Sequence, residues 1–466
     1  MLDLECNIDT LESNSFNGGN MKVSKMALLI GVLLITSSLF AGGFALTGVG
    51  SRATSMAGAF RGLADDGSAV YWNPAGLGFI ETNSFDLGGT FILPGSSWKN
   101  TGTLTTTGEC IPGYEHKEYE AKSILRSFPS GSIVYAQNPK LKLALGVFVP
   151  YGLGATWDAY QLPSELVTPL GNVPLSYADG FPKEELMSSL AIVDIHPTAA
   201  YQFNEQVSGG AGMSIYYSTI QLKTIDFNPG LGAGYQYAPI TTDLNGGGIG
   251  FGMNFGLLFK ANDVLSLGFS GKTPAKIELE GDAKVLLWKP DTSRLGGKSD
   301  IKADLNLPGD IGLGLSYKAD ENWVINMDYA LTFWKAMKTI KVNFEEPVPQ
   351  LGIVEKELDF LWENTHRVSL GTEYRSGANA YRCGIFWDQS PIPDETFSPT
   401  FPDINDKLSF NGGFGHDFGQ WTLDLNMQYV AFSEREIKSQ SFVDNNKNGV
   451  YNANSLSGNI GLTYKF

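Results

Sequence analysis

The feature that most restricts the fold of this 466-residue chain is a long series of two-faced stretches. Leu313, Leu315 and Tyr317 alternate with Gly312, Gly314, Ser316 and Lys318. A tight turn, Asp320-Glu321-Asn322, follows. Then Trp323, Ile325, Met327, Tyr329, Leu331 and Phe333 alternate with Val324, Asn326, Asp328, Ala330 and Thr332. Side chains of a strand point to opposite faces at period two, so each stretch has one greasy face and one polar or small face. That is the pattern of a wall between lipid and a lumen.

The unit recurs. Tight turns are expected at 137–140, 204–206, 261–263, 319–322, 376–379 and 416–420. Each joins two alternating stretches of about ten residues, the length that a tilted strand needs to cross a bilayer. Six hairpins, a strand before them (84–93) and one after (456–466) make fourteen. Bacterial single-chain barrels have an even number of strands. The predicted fold is an all-β, 14-stranded antiparallel transmembrane β-barrel over residues 81–466. Longer polar stretches with prolines (94–125, 152–190, 222–248, 274–305, 335–364, 389–405 and 432–454) are read as outer loops. Segment 163–190 is read as holding short helices over the outer mouth. The terminal aromatic, Phe466, is the address expected to be read by barrel-assembly machinery. A β-sandwich or secreted β-repeat protein also alternates, but gathers its aromatics on one shared core.

Composition agrees. Charged residues are 18% and aromatics 12%, with 55 glycines. A net charge of −16 argues against nucleic acid as a partner. Mean hydropathy is −0.08, far below that of a helical membrane protein. The apolar run 26–40, with Lys22 and Lys25 before it and Ala41-Gly42-Gly43 after, reads as a signal peptide over 21–41. Residues 1–20 are polar and acidic, and are read as a mis-called extension ahead of a start at Met21. Of three cysteines, Cys6 lies in that leader; Cys110 and Cys383 leave room for one disulfide in an oxidising compartment. His116, His196, His366 and His416 are scattered, with no sequence order of a catalytic triad. Gly246-Gly247-Gly248-Ile249-Gly250 lacks the strand and helix of a phosphate cradle. Asp444, Asn446 and Asn448, with Gly449, have calcium-loop spacing, but the twelfth position is Ser455 rather than Glu; a polar turn is the plainer reading. No cofactor is called for.

Residues 42–80 do not alternate. They are rich in glycine and carry Asp65-Asp66, and 51–64 is read as one short helix. A fourteen-stranded barrel is too wide for side chains to fill, so this segment is expected to fold back as a plug. The run Gly50-Ser51-Arg52, Ala57-Gly58-Ala59-Phe60, Ala64-Asp65-Asp66 and Ser68 to Leu77 with Asn73-Pro74-Ala75 resembles the plug of the FadL/TodX family of outer-membrane fatty-acid and hydrocarbon transporters. Leu305-Asn306-Leu307-Pro308, Arg367-Val368-Ser369-Leu370-Gly371, Gly384 to Pro393 and Pro402 to Lys407 also look like family segments.

The resemblance implies passive uptake of a hydrophobic molecule, with no bond broken and no enzyme activity, and a sideways exit beside a kinked strand. It implies outer-membrane lipid and lipopolysaccharide as surroundings. Asn73, Pro74 and Ala75 are expected to gate, with Asn73 bonding strand backbone at a defect in the wall. Phe60, Leu63, Trp72 and Phe79 are candidate pocket residues, plain packing being the alternative for each. In the segment Trp334 to Lys341, which resembles the family's, Lys341 falls on the head-group lysine, a solvated loop lysine being the alternative. The partnering arginine is missing from 215–220, which counts against a carboxylate ligand. The competing readings are a barrel enzyme acting on lipids and a surface adhesin or structural barrel.

Overall fold

The computed structural model describes residues 43–46, 48–101, 118–158, 165–168, 171–174, 186–227, 239–289, 293–401, 403–438 and 447–466. The expected extension, signal peptide, Cys6, Cys110, Asp444 and Asn446 lie outside the described residues. The barrel strands, in chain order, are β1 Ser84–Asn100, β2 Arg126–Tyr135, β3 Leu141–Trp157, β4 Leu186–Gln202, β5 Val207–Phe227, β6 Pro239–Lys260 and β7 Leu265–Lys272. They continue as β8 Asp310–Lys318, β9 Trp323–Thr332, β10 Thr365–Ser376, β11 Asn379–Asp388, β12 Lys407–Asp417, β13 Trp421–Phe432 and β14 Gly449–Lys465. Each pairs antiparallel with the next. β14 pairs with β1 from Ser84↔Lys465 to Asn100↔Gly449, which closes a fourteen-stranded cylinder.

Alternation explains why the ladder closes this way. Leu313, Leu315, Tyr317, Met327 and Tyr329 are exposed on the outside, while Ser316, Asn326 and Asp328 between them are buried inside. A one-residue slip of any strand would exchange the two sets. The six expected turns fall between consecutive strands, within two residues of their expected limits. Cys383 sits on the outer face of β11, exposed and unpaired.

Three expectations need correction. Segment 274–305 is not a loop: Ala275–Trp288 pairs with Arg294–Leu307, and extends the wall outward along the upper half of β6. Alternation persists there, but the outward row is Lys276, Glu278 and Glu280 rather than apolar, so the greasy signature disappears while the strand continues. Segment 163–190 holds no helix among its described residues; Glu165–Thr168 pairs with Gly171–Pro174, and β4 begins at Leu186. Helix α1 is only Ser51–Ser55, not 51–64. Ala57 and Gly58 take positive φ (58° and 73°), and the Trp72 ring occupies the place where a Cβ of Gly58 would lie. Short turns follow: α2 Ala69–Trp72, and a 3-10 turn over Pro74–Phe79. The twelfth position of the candidate calcium loop, Ser455, is buried in β14.

Candidate functional site: the lumenal segment and the apolar cavity

Residues 48–80 touch inward-facing positions around most of the circumference. Gly48 carbonyl accepts from Thr90 on β1 (2.9 Å). Val70 carbonyl accepts from Asn254 on β6 (2.7 Å), and Met56 sulfur from Asn326 on β9 (3.3 Å). Much of the contact is backbone against strand glycine. A Cβ at Gly256 would lie 2.0 Å from Asn73 Oδ1, and one at Gly268 only 1.9 Å from Arg61 carbonyl. A Cβ at Gly210 would lie 2.4 Å from Pro74, one at Gly371 2.3 Å from Met56, and one at Gly384 2.5 Å from Met56 and 2.7 Å from Ala57. These glycines lie far apart in sequence and form one set of sockets.

Asn73 Nδ2 donates to the carbonyls of Arg61 (2.8 Å) and Leu257 (3.2 Å), and its Oδ1 accepts from Ala75 N–H (3.2 Å). Ala75 carbonyl accepts from Ser208 (2.6 Å). The triplet therefore bonds strand backbone, but not at a defect in the wall: Leu257 is in register with both Gly209 and Phe269. The wall breaks elsewhere. The β2–β3 ladder ends at Gly131↔Val147, and the β3–β4 register shifts between Phe148 and Tyr151. Pro150 has no N–H to give to a ladder. Residues 44–46 enter this break: Leu46 N–H donates to Pro150 carbonyl and Gly152 N–H to Phe44 carbonyl, both 2.8 Å. Leu46 packs with Ile92 and Phe128.

Two buried ionic sets tie the segment to the wall. Arg52 donates twice to Glu373 of β10 (2.8 and 3.1 Å) and also meets Asp65 and Asp66. Glu373 is further held by Arg375 (2.9 Å) and by Arg382, which reaches Asp424 of β13. Asp328 of β9 accepts from Arg61 N–H (3.0 Å) and Phe60 N–H (3.2 Å), and the Arg61 guanidinium lies 3.4 Å away. Within the segment, burial pushes the Asp66 carboxyl up to about 6, although the Arg52 guanidinium pulls the other way.

Above the segment, toward the long loops, lies a cavity of about 520 Å³. Phe44, Leu190, Ile220, Leu279, Ile340 and Phe397 give it an apolar lining. Phe44 also packs on Trp334 and Trp362, with ring centroids 4.9 and 5.6 Å apart. Just before it, Gly43 N–H donates to buried Asp403 (2.6 Å), which is paired with Lys407 (2.7 Å).

Phe60, Leu63, Trp72 and Phe79 do not line this cavity. Phe60 and Trp72 are buried between segment and wall, Trp72 donating to Val49 carbonyl (2.9 Å), and Leu63 packs beside them. Phe79 lies under the Lys260 ammonium (3.8 Å) at the short-turn end. The anchor at 73–75 holds all four below the cavity. Lys341 points the other way as well: it is exposed and paired with Glu355 and Glu357 (3.1 and 2.7 Å), while its neighbours Ile340 and Val342 face the cavity. The ammoniums at the lining belong to Lys356 and Lys447; Lys356 is held by Asp226 (2.9 Å) and the hydroxyls of Thr242 and Thr224 (3.1 and 3.3 Å). Sequence reasoning missed Phe44, Lys356 and the Arg52–Glu373 pair. For Arg52 the signal was its place in the glycine-rich run; Phe44 and Lys356 had no local signal.

The family described as outer membrane protein transport protein (OMPP1/FadL/TodX) matches residues 32–466. The long-chain fatty acid transport protein of Escherichia coli is 24% identical over 92% of this chain and 97% of its own length. Outer membrane protein P1 of Haemophilus influenzae is 22% identical over 90% and 92%. A Pseudomonas aeruginosa FadL homologue superposes with a TM-score of 0.75 at 16% identity, covering 91% of this chain and all of its own. The Pseudomonas putida toluene transporter TodX does so with 0.69 at 18%, over 90% and 99%. With a family match over nearly the whole barrel chain and a closed fourteen-stranded cylinder, the protein belongs to the OMPP1/FadL/TodX family of outer-membrane transport proteins.

Proposed function

We propose that this transporter lets an uncharged hydrophobic molecule, a hydrocarbon rather than a fatty acid, diffuse across the outer membrane. The observation that carries this is the cavity lining. It is apolar and within the size range of small-molecule sites, and each methylene buried there contributes about 0.8 kcal/mol. Its ionisable groups number two lysines, Lys356 and Lys447, against four carboxylates, Asp226, Glu357, Asp359 and Glu395. Lys356 is already held by Asp226. A carboxylate head group would have to displace Asp226 from Lys356 at a lining where carboxylates outnumber lysines, even with Glu357 paired to Lys341 on the outside.

The lumenal segment acts as a plug that keeps water and ions from crossing, with Asn73, Pro74 and Ala75 as its anchor on β5–β7. Exit is sideways at the β2–β3 break, where residues 44–46 are held by two backbone hydrogen bonds beside Pro150. Outer-membrane lipid and lipopolysaccharide surround the apolar outer face, and barrel-assembly machinery reads Phe466 during insertion. The test is uptake by cells expressing the full chain, given a labelled alkane, a labelled monoaromatic hydrocarbon and a labelled long-chain fatty acid. Hydrocarbon uptake that is abolished by filling the cavity with Ile340→Trp is expected. Saturable fatty-acid uptake with no hydrocarbon uptake would overturn the assignment. The second reading, fatty-acid transport, rests on the relatives named as such; it requires Lys356→Met to abolish uptake of the acid.

A further inference from the structure

Between cavity and plug, three neighbouring strands place a buried polar group on their inner face. Asp194, His196 and Thr198 lie on β4, Gly212 and Ser214 on β5, and Asn254 on β6; the five side chains are all buried. Thr198, Gly212 and Asn254 form one row across the wall, in register with one another. Beside it, Pro197 cannot donate to a ladder, and the β4–β5 pairing runs from Ile195↔Ile215 directly to Thr198↔Gly212.

Ser214, His196 and Asp194 meet, but not as a nucleophile relay. A relay sets the hydroxyl on one ring nitrogen and the carboxylate on the other. Here Ser214 Oγ (2.9 Å) and Asp194 Oδ2 (3.2 Å) both lie at His196 Nδ1. Ser214 donates to Asp194 Oδ2 (3.0 Å), so it uses its hydrogen there. Assigning the imidazole hydrogen to Nδ1, next to the carboxylate, makes Nε2 an acceptor.

His196 Nε2 and Asn254 Oδ1 are both buried without a protein partner. They point at the same place. A Cβ on Gly212 would lie 2.4 Å from His196 Nε2, 2.7 Å from Asn254 Oδ1 and 2.7 Å from Thr198 Oγ1. Gly212 does not have a positive φ, so glycine is needed there for room and not for backbone conformation. Two acceptors and a hydroxyl converging on one point match one guest: a molecule with two hydrogens to give and a lone pair to receive.

We propose that the space above Gly212 binds a single water molecule. It donates to His196 Nε2 and Asn254 Oδ1 and accepts from the Thr198 hydroxyl, which turns to it from a long 3.4 Å bond to the His196 carbonyl, three bonds being usual for buried water. Asn254 Nδ2 donates to Val70 carbonyl of the plug at 2.7 Å. The water therefore sets the orientation of the amide that holds the plug, and makes this anchor a hydrated one.

The test is a crystal structure of the full chain to about 1.8 Å, with parallel data from two variants. The parent is expected to show a spherical peak above Gly212 with contacts of about 2.6–3.2 Å to the three atoms. Gly212→Ala puts a methyl there and is expected to lose the peak and to speed amide exchange at residues 68–76. If that variant does not fold, His196→Phe keeps the glycine space but removes Nε2, and is expected to lose the peak too. No peak in the parent, a peak with metal-like distances and anomalous signal, or a peak unchanged in His196→Phe would each overturn the assignment.

Discussion

The Arg52–Glu373 contact offers a quantitative test of how the lumenal segment is held. Arg52→Met keeps most of the side-chain length and removes a bidentate bond to a carboxylate that is 1% exposed. Removing one partner of a buried ion pair costs about 3–5 kcal/mol, because the other charge stays buried. Glu373 keeps Arg375 and Arg382, so the lower end applies, about 3 kcal/mol. At 1.36 kcal/mol per factor of ten, undocking of the segment becomes about a hundredfold more frequent. Hydrogen exchange of backbone amides in residues 51–80 of purified protein reads this directly, since they exchange when the segment leaves its sockets. Arg375→Met is the control. Arg375 bonds the same carboxylate but is 55% exposed on its side chain, and exposed pairs contribute about 0–1 kcal/mol. Exchange in Arg52→Met equal to that in Arg375→Met would refute the claim that the buried pair holds the segment.

Further predictions follow from the same geometry. Gly256→Val drives a Cβ into Asn73 Oδ1; overpacking costs about 1–3 kcal/mol, and conductance in planar bilayers is expected to rise. Asn73→Ala removes two donated bonds, about 2 kcal/mol in all, and should speed exchange in 51–80 less than Arg52→Met does. The Asp66 carboxyl is raised to about 6 in the folded chain from about 3.9 unfolded. Its contribution to docking is therefore complete below about pH 4 and lost as pH rises through about 6. Asp66→Asn should protect the segment relative to the parent at pH 7.5 and not at pH 4, as measured by exchange. Deleting 42–80 should leave a folded barrel that conducts ions and has lost selective hydrophobic uptake; unchanged uptake would count against the plug.

Much of the wall was legible in advance because strand alternation is a local property. Leu313 to Phe333 shows its two faces and its turn without reference to any other part of the chain. The outward hairpin of Ala275–Trp288 and Arg294–Leu307 escaped because Lys276, Glu278 and Glu280 replace the apolar row where the wall extends beyond the belt. The lumenal segment was recognisable by glycine content and by the Asn73-Pro74-Ala75 run, but its contacts were not. Arg52 and Glu373 are 321 residues apart, and Asn73 and Leu257 are 184 apart. Such pairs have no spacing that a linear reading can detect.

What the sequence by itself determined is the closed two-faced wall: fourteen strands, six short turns, apolar residues outward. Period two sorts each side chain to a face from its own neighbours alone. The tertiary structure alone decided which residues line the cavity and which secure the lumenal segment. Phe44 and Lys356 reach the lining while Lys341 turns away, and Gly210, Gly256 and Gly268 become sockets. Those roles depend on where the closed cylinder places distant strands around a common interior, a quantity that no single stretch of the chain encodes.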